Sequence, residues 1–553
     1  MSSDSHKSNS PESGAPVQVP TFEELTQDVR RLVGRPINKD AVAATLESMG
    51  MRHRDAKTDY GVASLFELAD RIYDTIMLRE QEERRKAHGQ SDEGSAQVLS
   101  HNIREKAAFF FQYYGQGLLF SVPMISQVIA IILFRYSLWA WLEFNEAQAT
   151  MVALGTIFAF VITGGFVQAT GRQITGFKSE QNYLLAYRAG LKILMYGILT
   201  VLVTGVLLYL LNIAIPFYPG RMVIIGGVYM LFISLLILSS AILYALAHRM
   251  AIIAGVVLGT VFVIYAMNNT LFGIYWAHWS GLTIALIFLM GYIYFYFKIK
   301  IKRMPPQLRK QRLSGFEIFY YSNYAYFLYG ALYFLFLFMD RLMAWSAGGE
   351  NELPYIFWFD TIYELGMDWA LITLILTIAV LEYSINAFSY QLIPVLKQVN
   401  IRYLDKFNRW FASFYRRQLW LLLIIGIISL IVSYYGVLSL RVYQTEIPEL
   451  RDFFSSVITY KVFWLGSLGY LLLTGGLLNV LFFFTLNRPL FALKALTISV
   501  IVNFIVGFVC SRVISYEYAV LGLVFGSLTF LILTGLKARY FFRNLDYYYY
   551  SAF

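Results

Sequence analysis

Apolar residues fill this chain in long uninterrupted runs from about residue 105 onward, separated by short polar turns. A helix of about 20 apolar residues crosses a bilayer core, so each run predicts a membrane span. Twelve are expected, near 117–142, 149–171, 189–212, 222–246, 250–272, 276–297, 318–344, 366–391, 418–440, 461–485, 489–513 and 518–537. Residues 105–116, with Phe109, Phe110, Phe111, Tyr113 and Tyr114, predict an interfacial helix leading into the first span. Upstream the pattern changes. Residues 1–20 are Ser/Pro-rich and read as a disordered tail, 21–88 as a cytosolic helical region and 89–104 as a linker. Thr21-x-x-Glu24 and Ser64-x-x-Glu67 are capping-box signatures. Behind them, Leu25, Val29, Leu32 and Val33, then Leu65, Ala69, Ile72 and Ile76, recur at helical spacing, with a short helix carrying Val42 and Leu46 between.

Composition agrees with a polytopic all-α membrane protein. Of 553 residues, 58% are hydrophobic and 14% charged, against about 25% charged in soluble domains. The net charge of +10 does not call for nucleic acid, because much of it sits in short loops beside the apolar runs, where the positive-inside rule places it. The run from Lys298 to Arg312, KIKIKRMPPQLRKQR, holds seven Lys/Arg and no acid. It marks the cytoplasmic side and the middle of the chain. Glu143 and Glu146, or Glu350 and Glu352, fall in outer loops; Arg172, Lys178 and Arg188, then Lys397 to Arg417, fall in inner ones. Both termini are therefore expected on the inner, cytoplasmic side of the membrane. The start of the chain lacks a signal-peptide pattern, which leaves targeting to the first span. Cys510 is single, so no intrachain disulfide is possible.

The connector divides the spans into two lobes of six, 105–297 and 317–541, joined by 298–316 and followed by a cytoplasmic tail, 542–553. Tight turns occupy equivalent places in the two halves, Tyr244 to Met250 and Phe482 to Pro489. Paired six-helix repeats are a recurrent transporter plan with the path between the halves, and no filter-like loop suggests a channel. The connector is the expected hinge, its charges anchoring it to anionic membrane lipid and Pro305-Pro306 limiting its helicity.

An ionisable side chain inside a span costs several kcal/mol and normally faces a bundle interior or a wet cavity. Asp340 and Arg341 lie toward the outer end of span seven, and Leu342 to Val395 contains six acids and no Lys or Arg. Glu382 follows Glu364 by eighteen residues, five full turns, and so shares its helix face, with Asp368 and Asn386 close to the same line. One reading is an acidic lining for a cation, a proton or a cationic substrate. The other is structural: Glu382 pairs with a base such as Lys192 or Lys494. In the first half Lys192 and Arg172 are candidate contacts for anionic groups, with snorkelling to the interface as the simpler account. No catalytic residue is expected: the chain has no P-loop, HExxH, GxSxG or Cys/His cluster, so neither a metal nor a cofactor is called for.

Short stretches add a resemblance. Ser121-Val-Pro123, Val161-Ile-Thr-Gly164 leading to Arg172, Asp340 to Trp345, Leu381 to Tyr390, the turn ending Asn487-Arg-Pro489, and Leu545-Asp-Tyr-Tyr resemble parts of the PelG-like exopolysaccharide transporters of the MOP flippase superfamily. The resemblance covers roughly residues 105–553. It implies a twelve-helix transporter exporting a polysaccharide or its sugar precursor, with a cytosolic glycosyltransferase and other membrane subunits of a synthase complex as partners. Glu382 would match the family's acid in span eight and Asp340 the acid closing span seven. The family's Gly-Ile-Gly-Phe opening is absent, and about 100 extra residues stand in its place. Two alternatives remain: an ion-coupled exporter of lipid-linked sugars or cationic drugs, and a non-transporting scaffold whose 21–88 region recruits a synthase.

Overall fold

A computed structural model describes residues 21–33, 39–79, 103–269, 272–305, 316–347, 356–398, 404–443 and 456–550. The expected tail 1–20, most of the 89–104 linker, connector residues 306–315, Glu350, Glu352 and most of the outer loop before span ten lie outside the described residues, as do the side chains of Leu32 and Val33. Among the described residues there is no strand, only an isolated bridge between Tyr136 and Trp141.

The chain forms two compact units, 1–108 and 109–553. The first contains α1 (Phe22–Val33), α2 (Lys39–Ser48), α3 (His53–Tyr60) and α4 (65–79). Leu25, Val29, Val42, Leu46, Leu65, Ala69, Ile72 and Ile76 are all buried together. The box at α1 closes as expected, with Thr21 N donating to Glu24 Oε2 at 2.8 Å and Glu24 N to Thr21 Oγ at 3.3 Å. Held by the Thr21 amide, the Glu24 carboxyl titrates below its ordinary range. At α4 only half the box forms. Glu67 N donates to Ser64 Oγ, but Glu67 Oε2 accepts from Ala63 N instead of the Ser64 amide. Helix α3 was not expected; it is bounded by Arg52 N donating to Asp55 Oδ2 and by Gly61 at φ 65°.

Among the described residues the second unit carries eleven helices long and apolar enough to span a membrane, and one bent pair that starts at Ala107, on the boundary between the units. Span one is α5 (Ile103–Phe134), into which the expected interfacial helix is merged. Its two parts, Ala107–Leu119 and Ser121–Ile131, meet at 56°. Pro123 lacks an amide and its ring clashes with the carbonyl four residues back, at Leu119, which puts the bend where it is observed. Spans two to six are α6 (Glu146–Ser179), α7 (Tyr183–Ala214), α8 (Gly220–Ala245), α9 (Arg249–Asn269) and α10 (Ile274–Lys302). Spans seven to twelve are α11 (Phe316–Trp345), α12 (Thr361–Gln398), α13 (Leu404–Tyr443), α14 (Val457–Thr485), α15 (Pro489–Val513) and α16 (Val520–Arg543), followed by a short α17 (Leu545–Tyr550). Successive helices run in opposite directions. The turns after α6, α8 and α14 therefore lie at the same end as Lys298–Arg303, here called the basic end.

Side chains facing lipid gain nothing from burial, so polar pairs and close packing hold the helices together. In lobe two Thr377 and Thr474 pair at 3.1 Å, Ser384 donates to Gln418 at 3.0 Å, and Tyr415 donates to Asn479 at 2.8 Å. Lobe one uses Gln127 with Thr260 at 3.0 Å and Tyr229 with His278 at 2.7 Å.

Candidate functional site

Helix α12 organises the candidate site, because Glu364 and Glu382 lie about 27 Å apart along it at 1.5 Å per residue. The acidic stripe consequently resolves into two clusters.

At the end opposite the basic one, Arg341 of α11 meets Glu364 and Asp368. Its Nε lies 3.0 Å from Glu364 Oε2, as an ion pair without hydrogen-bond alignment, and its Nη2 donates to Asp368 Oδ1 at 3.4 Å. Asp340 accepts from Tyr363 Oη at 2.9 Å. Three carboxylates face one guanidinium, so the cluster is net acidic when all are ionised. Asp340 Oδ1, Glu364 Oε1 and Tyr470 Oη are buried with no hydrogen-bond partner. Asp368 differs from the others: its side chain is 67% exposed against 4% for Arg341, so it opens the cluster outward.

At the basic end, Glu382 Oε1 accepts from Arg249 Nη2 at 2.6 Å. Arg249 also donates to the backbone oxygen of Gln116 and lies 5.4 Å from the Tyr244 ring. Asn386 Nδ2 donates to the Glu382 backbone oxygen at 2.7 Å. Thus a residue of the span four to five turn ties span one to span eight, and lobe one to lobe two. The partner expected for Glu382, Lys192 or Lys494, is replaced: Lys192 stands 5.9 Å over Tyr196 on its own helix, and Lys494 is exposed.

The equivalent turn of lobe two makes the reciprocal link. Asn487 Oδ1 accepts from Arg172 Nη1 at 2.8 Å and from Tyr326 Oη at 3.1 Å, while the Arg172 guanidinium lies 4.3 Å over the Tyr326 ring. Arg172 crosses to the other lobe, where snorkelling was the simpler expectation. The two turns share one backbone. Ala247 at φ 66° and Asn487 at φ 55° take the left-handed conformation. Ala247 N donates to Tyr244 O and His248 N to Leu243 O; Asn487 N donates to Phe484 O and Arg488 N to Phe483 O.

Two helix crossings complete the junction. Spans one and eight touch at Gly117, where an added Cβ would lie 2.7 Å from Ala379 Cα and 3.1 Å from Glu382 Cβ. Spans seven and two touch at Gly330, where an added Cβ would strike the Gly164 carbonyl oxygen and lie 2.7 Å from Gln168 Cγ. Gln168 occupies at one crossing the place that Glu382 occupies at the other. Arg249, Tyr363, Tyr470 and Gln168 were not singled out from sequence, and Asn487 was named there only within a turn motif; the pointer to the two links was the correspondence of the tight turns.

No protein-family model matches the chain, and no curated protein matches it. Solved structures do. A MATE in complex with MaD3S is 13% identical, with 82% of this chain and 98% of that chain covered at a TM-score of 0.53. The fold is that of the MATE transporters. The outward-facing conformation of a multidrug resistance MATE family transporter of the MOP superfamily is 12% identical over the same shares, also at 0.53, and MATE in the straight conformation is 12% identical at 0.52. At this identity the likeness establishes the MOP-type fold; the finer PelG-like assignment has no family match behind it.

Proposed function

We propose that this chain is an inner-membrane transporter, with both termini cytoplasmic, that exports a polysaccharide or its sugar precursor between its two lobes. The observation that carries the reading is the junction at the basic end. Two reciprocal polar links, Arg249 with Glu382 and Arg172 with Asn487, join the lobes through side chains, and side-chain links can be broken and remade while each lobe stays packed. In this reading Glu382, Asn386 and Arg172 act in closing the path, while Asp340, Arg341, Glu364 and Asp368 line or tune it. Lys192 lies outside both clusters, and its expected contact with anionic groups stays part of the proposal. The unit at 22–79, with its own core, is the proposed docking module for a cytosolic glycosyltransferase and other membrane subunits of a synthase complex.

The test is Glu382→Gln in cells, with membrane insertion checked. Loss of polymer secretion is expected, and unchanged secretion would overturn the role of Glu382. A second reading, an ion-coupled exporter of lipid-linked sugars or cationic drugs, is favoured by the net-acidic cluster around Arg341. Drug efflux from vesicles that depends on a pH gradient, with no effect on polymer, would select it.

A further inference from the structure

The end opposite the basic one carries a link between the lobes that neither reading uses. Residues 356–360, the stretch just before α12, belong to no helix, so their backbone groups need partners from elsewhere. Lobe one supplies them. Tyr218 Oη donates to the Phe357 carbonyl at 2.8 Å and accepts from the Phe357 amide at 3.0 Å. Thr150 Oγ of α6 accepts from Phe359 N at 3.0 Å. A side chain adds to these, Trp358 Nε1 donating to Glu146 Oε2 at 2.8 Å. Tyr218, in the turn between α7 and α8, is itself held by Asn212, which accepts from its amide at 2.9 Å and donates to its carbonyl at 2.8 Å.

The same stretch is fastened differently to its own lobe. Trp358 N donates to the Trp345 carbonyl at 3.0 Å, and the Phe359 and Trp345 rings lie 5.3 Å apart. Asp360 Oδ1 accepts from Tyr363 N at 2.7 Å and so caps α12, whose first turn carries Tyr363 to Asp340 and Glu364 to Arg341. Toward lobe two the attachment is therefore continuous with a capped helix and a buried cluster. Toward lobe one it is a row of separate hydrogen bonds. At the membrane surface water can take over such bonds at small net cost, whereas in the hydrocarbon core an unmet backbone group is expensive. The stretch is thus built to stay with lobe two and to let go of lobe one. It lies at the seam of the lobes: Thr150 is fully buried, and Leu154, one turn deeper on α6, shares a core with Met343 and Trp345 of α11.

We infer that residues 356–360 form a strap that shuts the path between the lobes at the end opposite the basic one, and that opens it by releasing Tyr218, Thr150 and Glu146. The inference rests on the reading of the two lobes as the walls of a path, and not on the cargo. With the strap seated and the Arg249–Glu382 and Arg172–Asn487 links made, the lobes are joined at both ends.

The experiment follows access to Leu154→Cys in the full chain with Cys510→Ser as background, in right-side-out membrane vesicles, with a membrane-impermeant maleimide added outside. Slow labelling is expected. Trp358→Phe keeps a ring and removes the indole donor, and is expected to speed labelling about fivefold, the equivalent of about 1 kcal/mol for one hydrogen bond. Adding Tyr218→Phe should bring the increase to about twentyfold or more. Tyr275→Phe, which removes a hydroxyl at the same end of lobe one away from the strap, is expected to change nothing. Gln168→Cys, labelled from the basic side in the same variants, should not speed up. Equal labelling of Leu154→Cys with and without the strap bonds would overturn the inference. So would a matching rise at Gln168→Cys, which would mean a general loosening of the fold. Access is read without cargo, so failure of the polysaccharide reading, tested by secretion in Glu382→Gln, is told apart from failure of the strap.

Discussion

The two crossings between the lobes are built alike and charged differently. At each, a glycine lets one helix lie against the backbone of another, Gly117 against span eight and Gly330 against span two. At each, a long side chain of the crossed helix flanks that glycine. It is Glu382 in one case and Gln168 in the other. The turns above them repeat the contrast, since Arg249 reaches a carboxylate whereas Arg172 reaches an amide and a ring. Both links use a charged guanidinium donor, but only the Arg249–Glu382 pair adds attraction between two opposite formal charges in a partly buried site, so the pseudo-symmetric frame holds one stronger link and one weaker one. Opening of the basic end is then expected to begin on the side of spans two and seven.

The frame itself is the first thing to break. Gly330→Val places a branched side chain against the Gly164 carbonyl, which is backbone and cannot swing away. Overpacking of this kind costs about 3 kcal/mol or more. A fall in the thermal unfolding midpoint in detergent, larger than for any variant below, is the expected result. Gly117→Val should behave in the same way, and a clear difference between them would mean that the two crossings are not equivalent.

The link at Glu382 comes next. Arg249→Ala strands a half-buried carboxylate, at a cost of about 2 kcal/mol. A double-mutant cycle on Arg249 and Glu382, read from unfolding midpoints, should give a coupling of about 2 kcal/mol, against about 0.5 kcal/mol for Arg172 and Asn487. Equal couplings would remove the distinction between a strong and a weak side.

What the sequence made legible was local. The span periodicity, the correspondence of Tyr244–Met250 with Phe482–Pro489, and the single helix face shared by Glu364 and Glu382 are all properties of residues close in the chain. The cap at Thr21 is local too, and it formed as written; its counterpart at Ser64 missed by one amide, a choice made by the loop at Ala63. The partners were not legible. Arg249 and Glu382 are 133 residues apart, and Arg172 and Asn487 are 315 apart, so each pairing is decided by which helices cross. Hydropathy ranks Glu382 as a buried acid without saying that a basic turn from the other lobe neutralises it. Nor can a helical wheel separate the two ends of α12, because it discards distance along the axis.

The smallest effect isolates the weak link from the turn that carries it. Asn487 combines two roles, a backbone at φ 55° and a side-chain acceptor for Arg172 and Tyr326. Replacement by alanine removes the acceptor and also loses the tolerance of the left-handed region that asparagine's short polar side chain gives, at a cost of about 1 kcal/mol for the conformation alone. Replacement by glycine removes the acceptor and leaves the backbone relaxed. Asn487→Gly is therefore expected to lower the unfolding midpoint by the equivalent of about 0.5 kcal/mol, and Asn487→Ala by about 1.5 kcal/mol. The functional readout, in contrast, is expected not to separate them. With Cys510→Ser as background and Gln168→Cys as reporter, both variants should raise maleimide labelling from the basic side to the same extent, because the link is lost equally in each. If alanine labels strongly and glycine does not, the turn conformation rather than the Arg172 contact holds this side closed, and the asymmetry between the crossings would then reside in the backbone.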